Sequence, residues 1–105
     1  MTDQQVIAKA VELLLHACPG SKVILFGSHA RGQARPDSDL DFLVVQPQVK
    51  NRLAEMVRLT EVLRPLGIPA DVLVVSAETF KYWVDTPNTL IHRIAREGKV
   101  YEQVA

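Results

Sequence analysis

The sequence predicts a mixed α/β (α+β) fold, a small central sheet flanked by helices. Two kinds of pattern point there. Apolar residues recur at helical spacing at the N-terminus and again over residues 49–63. Between and after them lie three short runs rich in Val, Ile, Leu and Phe, each bounded by Gly, Pro or polar turn residues, at 22–26, 40–45 and 70–75. Helices and strands so interleaved make one layered α/β unit over residues 1–105, with no repeat, linker or low-complexity stretch.

The elements follow in order. Val6, Ala10, Leu13, Leu14 and Ala17 share a helical face, Thr2 or Asp3 offers an N-cap, and Pro19-Gly20 stops the chain, so a helix is predicted from about Thr2 to Ala17. Lys22 to Phe26 reads as a buried strand between Gly20 and Gly27, and Leu40 to Val45 as a second, ended by Gln46-Pro47-Gln48. From Val49 to Leu63, the residues Leu53, Met56, Val57, Thr60 and Leu63 form an apolar stripe opposite Arg52, Glu55, Arg58 and Glu61. That predicts an amphipathic helix closed by Pro65 and Gly67. Ala70 to Val75 is a third strand, Ser76 caps a short helix toward Val84, Asn88 to Arg96 is a last helix stopped by Gly98, and Val100-Tyr101 adds an edge strand.

Composition excludes several classes of function. Lys plus Arg number 12, as do Asp plus Glu, so overall charge gives no reason for general nucleic-acid or membrane binding. Cys18 is the sole cysteine, which excludes an internal disulfide and fits a reducing compartment; it reads as a small buried hydrophobe. The absence of a leader-like N-terminus and of any apolar run of spanning length gives the expectation of a cytoplasmic protein. His16 and His92 read as packing or surface residues, and Phe80, Tyr82 and Trp83 as either core or an exposed partner patch.

The chemistry concentrates between Gly27 and Asp41. Gly27 directly follows a strand, and Ser28 to Arg31 are expected to open a short helix. A glycine lets an anion approach the backbone, a helix start supplies unpaired N–H groups, and Ser28 adds a hydroxyl, which together describe a phosphate cradle. The spacing of a Walker loop is absent. Asp39 and Asp41, two residues apart at the start of a strand, project together, and such like charges repel unless a cation lies between them. Carboxylate oxygens suit Mg²⁺ or Mn²⁺, and Mg²⁺ commonly joins one or two carboxylates to substrate phosphates. Asp71 opens its own apolar strand as Asp41 does, so a third carboxylate is available as ligand or base.

Gly27-Ser28, ten residues, then Asp39-Leu40-Asp41, with Ala30-Arg31-Gly32 inside the interval, resembles the signature of the nucleotidyltransferases related to DNA polymerase beta. The Gly-Ser-His-Ala-Arg-Gly form and the short chain look most like the minimal nucleotidyltransferases of bacteria and archaea. The resemblance implies a palm-like nucleotidyltransferase domain. In it Gly27 and Ser28 hold the triphosphate of a nucleotide, Asp39 and Asp41 bind two divalent metal ions, and Asp71 completes the site. Arg31 and Arg35 either lean on the triphosphate or, for Arg31, brace the turn by pairing with a carboxylate. His29 occupies a slot that the family varies freely.

The implied reaction is in-line transfer of a nucleotidyl group from a nucleoside triphosphate to a hydroxyl, with pyrophosphate leaving and Asp71 as the candidate proton acceptor. Minimal relatives are found beside a small helical HEPN-type toxin and act as its antitoxin, which implies ATP as donor and a hydroxyl of that partner as acceptor. No direct nucleic-acid contact is expected. A non-catalytic antitoxin that masks its partner by contact is the alternative, transfer to a small molecule such as an aminoglycoside comes last, and homodimer or hetero-oligomer stays open.

Overall fold

The computed structural model describes residues 2–35 and 37–103; Met1, Pro36, Val104 and Ala105 of the expected 1–105 unit lie outside the described residues. The elements run α1 (Asp3–Ala17), β1 (Lys22–Phe26), β2 (Leu40–Gln46), α2 (Arg52–Leu63), a 3-10 turn (Arg64–Leu66), β3 (Ala70–Ser76), α3 (Ala77–Trp83), α4 (Leu90–Glu97) and β4 (Lys99–Glu102). The strands form one mixed sheet in the order β3-β2-β1-β4. β1 pairs antiparallel with β2 and β4, whereas β2 and β3 are parallel and joined through α2. The predicted mixed sheet with flanking helices is therefore the observed architecture.

Local chemistry accounts for the helix starts. Thr2 and Gln5 form a reciprocal cap on α1, each side chain accepting from the other's backbone N–H at 3.2 and 2.9 Å. The α2 helix begins at Arg52 rather than Val49, because the Asn51 carboxamide oxygen accepts from Ala54 N–H at 3.0 Å and so holds the N-cap position. Thr89 caps α4 in the same way, accepting from His92 N–H at 3.2 Å. Gly98 ends α4 in an extended conformation, and a side chain there would come within 3.0 Å of the Leu25 carbonyl. Its smallness serves packing against β1 more than turning.

Alternation along the strands builds two cores. Leu40, Phe42, Val44, Val23, Leu25, Val72 and Val74 face α1 and α2, where Ala10, Leu14, Leu59 and Leu63 are fully or almost fully buried. Ile24, Leu43, Val45 and Val75 face the other way, against Ile94 and Ile91 of α4 and Phe80 of α3. Each of these large side chains contributes about 1.5–3 kcal/mol by leaving water. With apolar layers on both faces, β2 must read as a continuous apolar run.

The predicted stripe of α2 does not face the core along its whole length: Leu53 is 69% and Val57 65% exposed, and the buried residues are Leu59 and Leu63. The helix carries two adjacent apolar stripes, and only packing decides which is covered. Arg52 of the polar side donates from Nε to the carbonyl of Val74 at 2.7 Å, which satisfies a backbone acceptor on edge strand β3.

Cys18 is buried as expected, yet it ends in a polar network. Its Sγ lies 3.3 Å from Gln46 Nε2 and 3.4 Å from Arg58 Nη2, and Arg58 makes a two-pronged pair with Glu55 at 2.7 and 2.8 Å. Arg58, then Gln46, holds the Glu55 carboxyl down at about 2. A depressed carboxyl stabilises the fold fully above its unfolded value, and that contribution disappears as pH falls through about 2. Arg58 is nearly half exposed, so the scale of exposed ion pairs applies, about 0.2–1 kcal/mol. Glu55→Gln is expected to lower the urea midpoint at pH 7 and to match wild type near pH 2; an equal deficit at both pH values would refute the ionic origin.

Candidate active site

Asp41 meets the glycine turn because of strand register. Phe26 of β1 lies opposite Asp41 of β2, and Asp41 opposite Asp71 of β3, so the three form one row across the sheet. The next rows, with Ile24, Leu43 and Val45, lie beneath α3 and α4 and are buried. In the first row Phe26 packs partly against that second core, Asp41 is half-buried and Asp71 is exposed. Since β1 is antiparallel to the other two, its C-terminal end and the starts of β2 and β3 share one end of the sheet.

Gly27 follows Phe26 with φ +76°, a left-handed conformation that glycine adopts without strain. A Cβ there would strike Asp41 Oδ2 and lie 3.2 Å from its Cγ, so the bare backbone is what lets the turn pass over the carboxylate. The predicted short helix at Ser28–Arg31 is a closed hydrogen-bonded turn instead. Ala30 and Arg31 N–H donate to the Gly27 carbonyl at 3.1 and 3.2 Å, and Gln33 N–H returns to the Ser28 carbonyl at 2.9 Å. Left-handed Gly32, φ +70°, ends it before a second helical turn can form. Among the described residues, Ser28 and His29 N–H donate to no protein acceptor. Beside the Ser28 hydroxyl, these groups are donors for an anion.

Asp71 is common to two adjoining recesses. One, about 510 Å³, holds Asp41 and Asp71 with Phe26, Met56, Val57 and Leu73; the other, about 460 Å³, holds Asp39 and Asp71 with Arg64 and Ile68. Asp39 precedes β2 by one residue and is exposed. Among the described residues no three His, Cys, Asp or Glu side chains already gather into a cage for an ion. Burial raises the pKa of Asp41, and the charges of Asp71 and Asp39 raise it further, with His29 and Arg31 partly offsetting them. Such mutual repulsion is relieved by a cation, and Mg²⁺ needs only one or two protein carboxylates when phosphate oxygens supply further ligands. Oxygen donors of this kind suit a hard divalent ion; the structure pairs Asp41 with Asp71 in one recess and Asp39 with Asp71 in the other, and does not bring the expected three around one point.

Arg31 is engaged by protein partners. Its Nη1 lies 3.5 Å from Glu97 Oε2 and its Nε donates to Gln33 Oε1 at 3.2 Å, so it braces the turn against the end of α4. Arg35 is exposed. His92 is half-buried, its Nδ1 donating to the Val84 carbonyl at 2.8 Å, and His16 is exposed. Phe80 joins the second core, while Tyr82 and Trp83 stack edge to face at the surface. Sequence reasoning did not find Met56 and Val57 at the site; their spacing was visible, but the covered stripe of α2 was not. It also gave no role to His29, whose Nε2 lies 3.3 Å from the Ser38 carbonyl.

The chain is similar to known proteins over nearly its whole length. The nucleotidyltransferase domain family matches residues 7–101. A proposed protein adenylyltransferase of Methanocaldococcus jannaschii is 31% identical over 103 residues, covering 95% of this chain and 98% of that protein. The solved structure of a proposed minimal nucleotidyltransferase superposes with a TM-score of 0.65 at 33% identity, over 93% of this chain and 95% of the other. A toxin–antitoxin complex with AMP-PNP contains a chain of the same fold, with a TM-score of 0.68 at 21% identity over 97% of this chain and 75% of that one. No helix among the described residues is long and apolar enough to cross a membrane. With the family match running through nearly all of the sheet and across both recesses, the chain belongs to the nucleotidyltransferase domain family and is a nucleotidyltransferase.

Proposed function

We propose that this nucleotidyltransferase moves AMP from ATP to a hydroxyl of a partner protein, in the manner of an antitoxin that modifies a HEPN-type toxin. The observation that carries the reading is the row Phe26–Asp41–Asp71 with the Gly27 turn at one side of it. The similarity to a proposed protein adenylyltransferase supports protein as the acceptor, and the fold shared with a toxin–antitoxin chain supports a partner of that kind.

Divalent ions of the Mg²⁺ or Mn²⁺ type, held by Asp39, Asp41 and Asp71, would neutralise charge on the attacking and leaving oxygens. The turn binds the triphosphate through Ser28 and the open N–H groups of Ser28 and His29. Arg31 keeps the turn in place through Glu97. In-line transfer puts attacking and departing oxygens on opposite sides of the reacting phosphorus. With the triphosphate over the end of β1, the acceptor approaches over β3, where Asp71 is exposed and placed to accept its proton.

The walls on that side are Met56, Val57, Thr60, Glu61 and Leu73. An acceptor hydroxyl carried on an apolar side chain would pack that side chain against Met56, Val57 and Leu73. Val57→Asp is therefore expected to lower transfer to the partner by about 10-fold or more, the equivalent of the ~1.5–3 kcal/mol of a buried valine. ATP binding should remain as in wild type; equal losses in both would remove Val57 from the acceptor side.

A partner-masking protein without catalysis is the second reading, favoured by exposed Leu53, Val57, Tyr82 and Leu90. Incubation with ATP labelled at the α-phosphate, Mg²⁺ and the protein encoded beside it separates the two. Label on the partner, absent with Asp41→Asn, supports the transferase. Tight association without label supports masking and refutes the proposal.

A further inference from the structure

The backbone of Asp39 is pinned on both sides. Before it, the Ser38 carbonyl lies 3.3 Å from His29 Nε2; after it, Leu40 N–H donates to the Pro69 carbonyl at 3.0 Å, just ahead of β3. The loop closes on itself through Arg35 N–H to Ser38 Oγ at 2.8 Å and Ser38 N–H to the Arg35 carbonyl at 3.0 Å, so Ser38 moves as part of a fixed turn. Among the described residues, the imidazole is the only hydrogen-bonded tie between the 27–33 turn and this loop. A carbonyl can only accept, so Nε2 carries the proton in this contact. His29 is half-buried between the two segments, where a surface histidine would be free to turn.

We propose that His29 is a positioning residue that couples the phosphate cradle to the Asp39 loop, so that the turn which grips the triphosphate also fixes where the Asp39 carboxylate stands. The inference rests on the reading of Asp39 as a cation ligand. Without the tie, the start of β2 stays anchored at Leu40, but the peptide that precedes Asp39 is free to rotate. Cation affinity in the presence of nucleotide then falls, although no ligand has been removed. The fold is little affected, because neither core contains His29.

The test compares wild type, His29→Ala, His29→Gln and Asp39→Asn for Mn²⁺ binding by electron paramagnetic resonance with ATP present. Amide exchange at Ser38–Leu40 and thermal melts are followed alongside. His29→Ala should bind Mn²⁺ about 10–100-fold more weakly, the scale for groups that orient a metal ligand, and exchange faster at the Ser38 amide while Leu40 and the melt stay unchanged. His29→Gln, which can again offer an N–H to Ser38, should restore most of both. Wild-type Mn²⁺ affinity in His29→Ala, with weakened binding in Asp39→Asn, overturns the inference and leaves the site reading standing. Failure of His29→Gln to rescue also overturns it. Undiminished binding in Asp39→Asn removes Asp39 from the ligand set, and the inference with it.

Discussion

Asp41→Asn should reduce nucleotidyl transfer by more than about 100-fold, beyond the 10–100-fold typical of groups that only orient a metal ligand, while raising the melting temperature in metal-free buffer. The two effects have one cause. Asp41 is partly buried and faces Asp71 across the β2–β3 register, with Asp39 nearby, so burial first and then those charges disfavour its ionised form. A carboxyl whose folded pKa lies above its unfolded value contributes stability that is complete below the unfolded value. That contribution is lost as pH rises through the folded one. Wild type therefore weakens as pH climbs out of the acidic range, and Asp41→Asn does not. Each ~1 kcal/mol relieved would appear as about 4–8 °C in a domain of this size. Mg²⁺ or Mn²⁺ with ATP should close the gap by stabilising wild type alone. Melts that coincide at every pH and metal concentration would contradict this account of the carboxylates, as would retained transfer.

Gly27→Ala should damage both fold and activity. The left-handed backbone costs about 1–2 kcal/mol for a residue with a Cβ, or roughly 4–8 °C of melting temperature per kcal/mol. The added methyl also collides with the Asp41 carboxylate, so either that group swings out of the row or the turn lifts from the sheet. Transfer should fall at least as steeply as in Asp41→Asn. Gly32→Ala supplies the comparison: its φ of +70° carries the same backbone penalty, but nothing lies within 4 Å of the new methyl. It should lose similar stability and keep far more activity. Equal activity losses in the two variants would show that the turn's conformation, and not its approach to Asp41, is what matters.

The order and type of the elements could be read from the chain because each carries its own period and its own stops. β1 is bounded as predicted, at Lys22 and Phe26, since Gly20 and Gly27 mark both ends locally. The start of α2 was displaced from Val49 to Arg52 because Asn51, a strong N-cap, outweighs the apolar Val49 that suggested an earlier turn. The turn after Gly27 read as a helix start because its first hydrogen bonds are helical; only the left-handed Gly32 closes it.

The residue types of the site, the Gly-Ser turn and the three aspartates were present in the string itself, because hard oxygen donors and a bare backbone are chemical facts of sequence. Their arrangement was not. Which carboxylates share a recess, which stripe of α2 is left open beside them, and that His29 reaches the peptide before Asp39 all depend on strand register and on how α2 and the loops pack on the sheet. Register is set by burial summed over both faces of the sheet, an interaction among segments far apart in the chain, and no local pattern contains it.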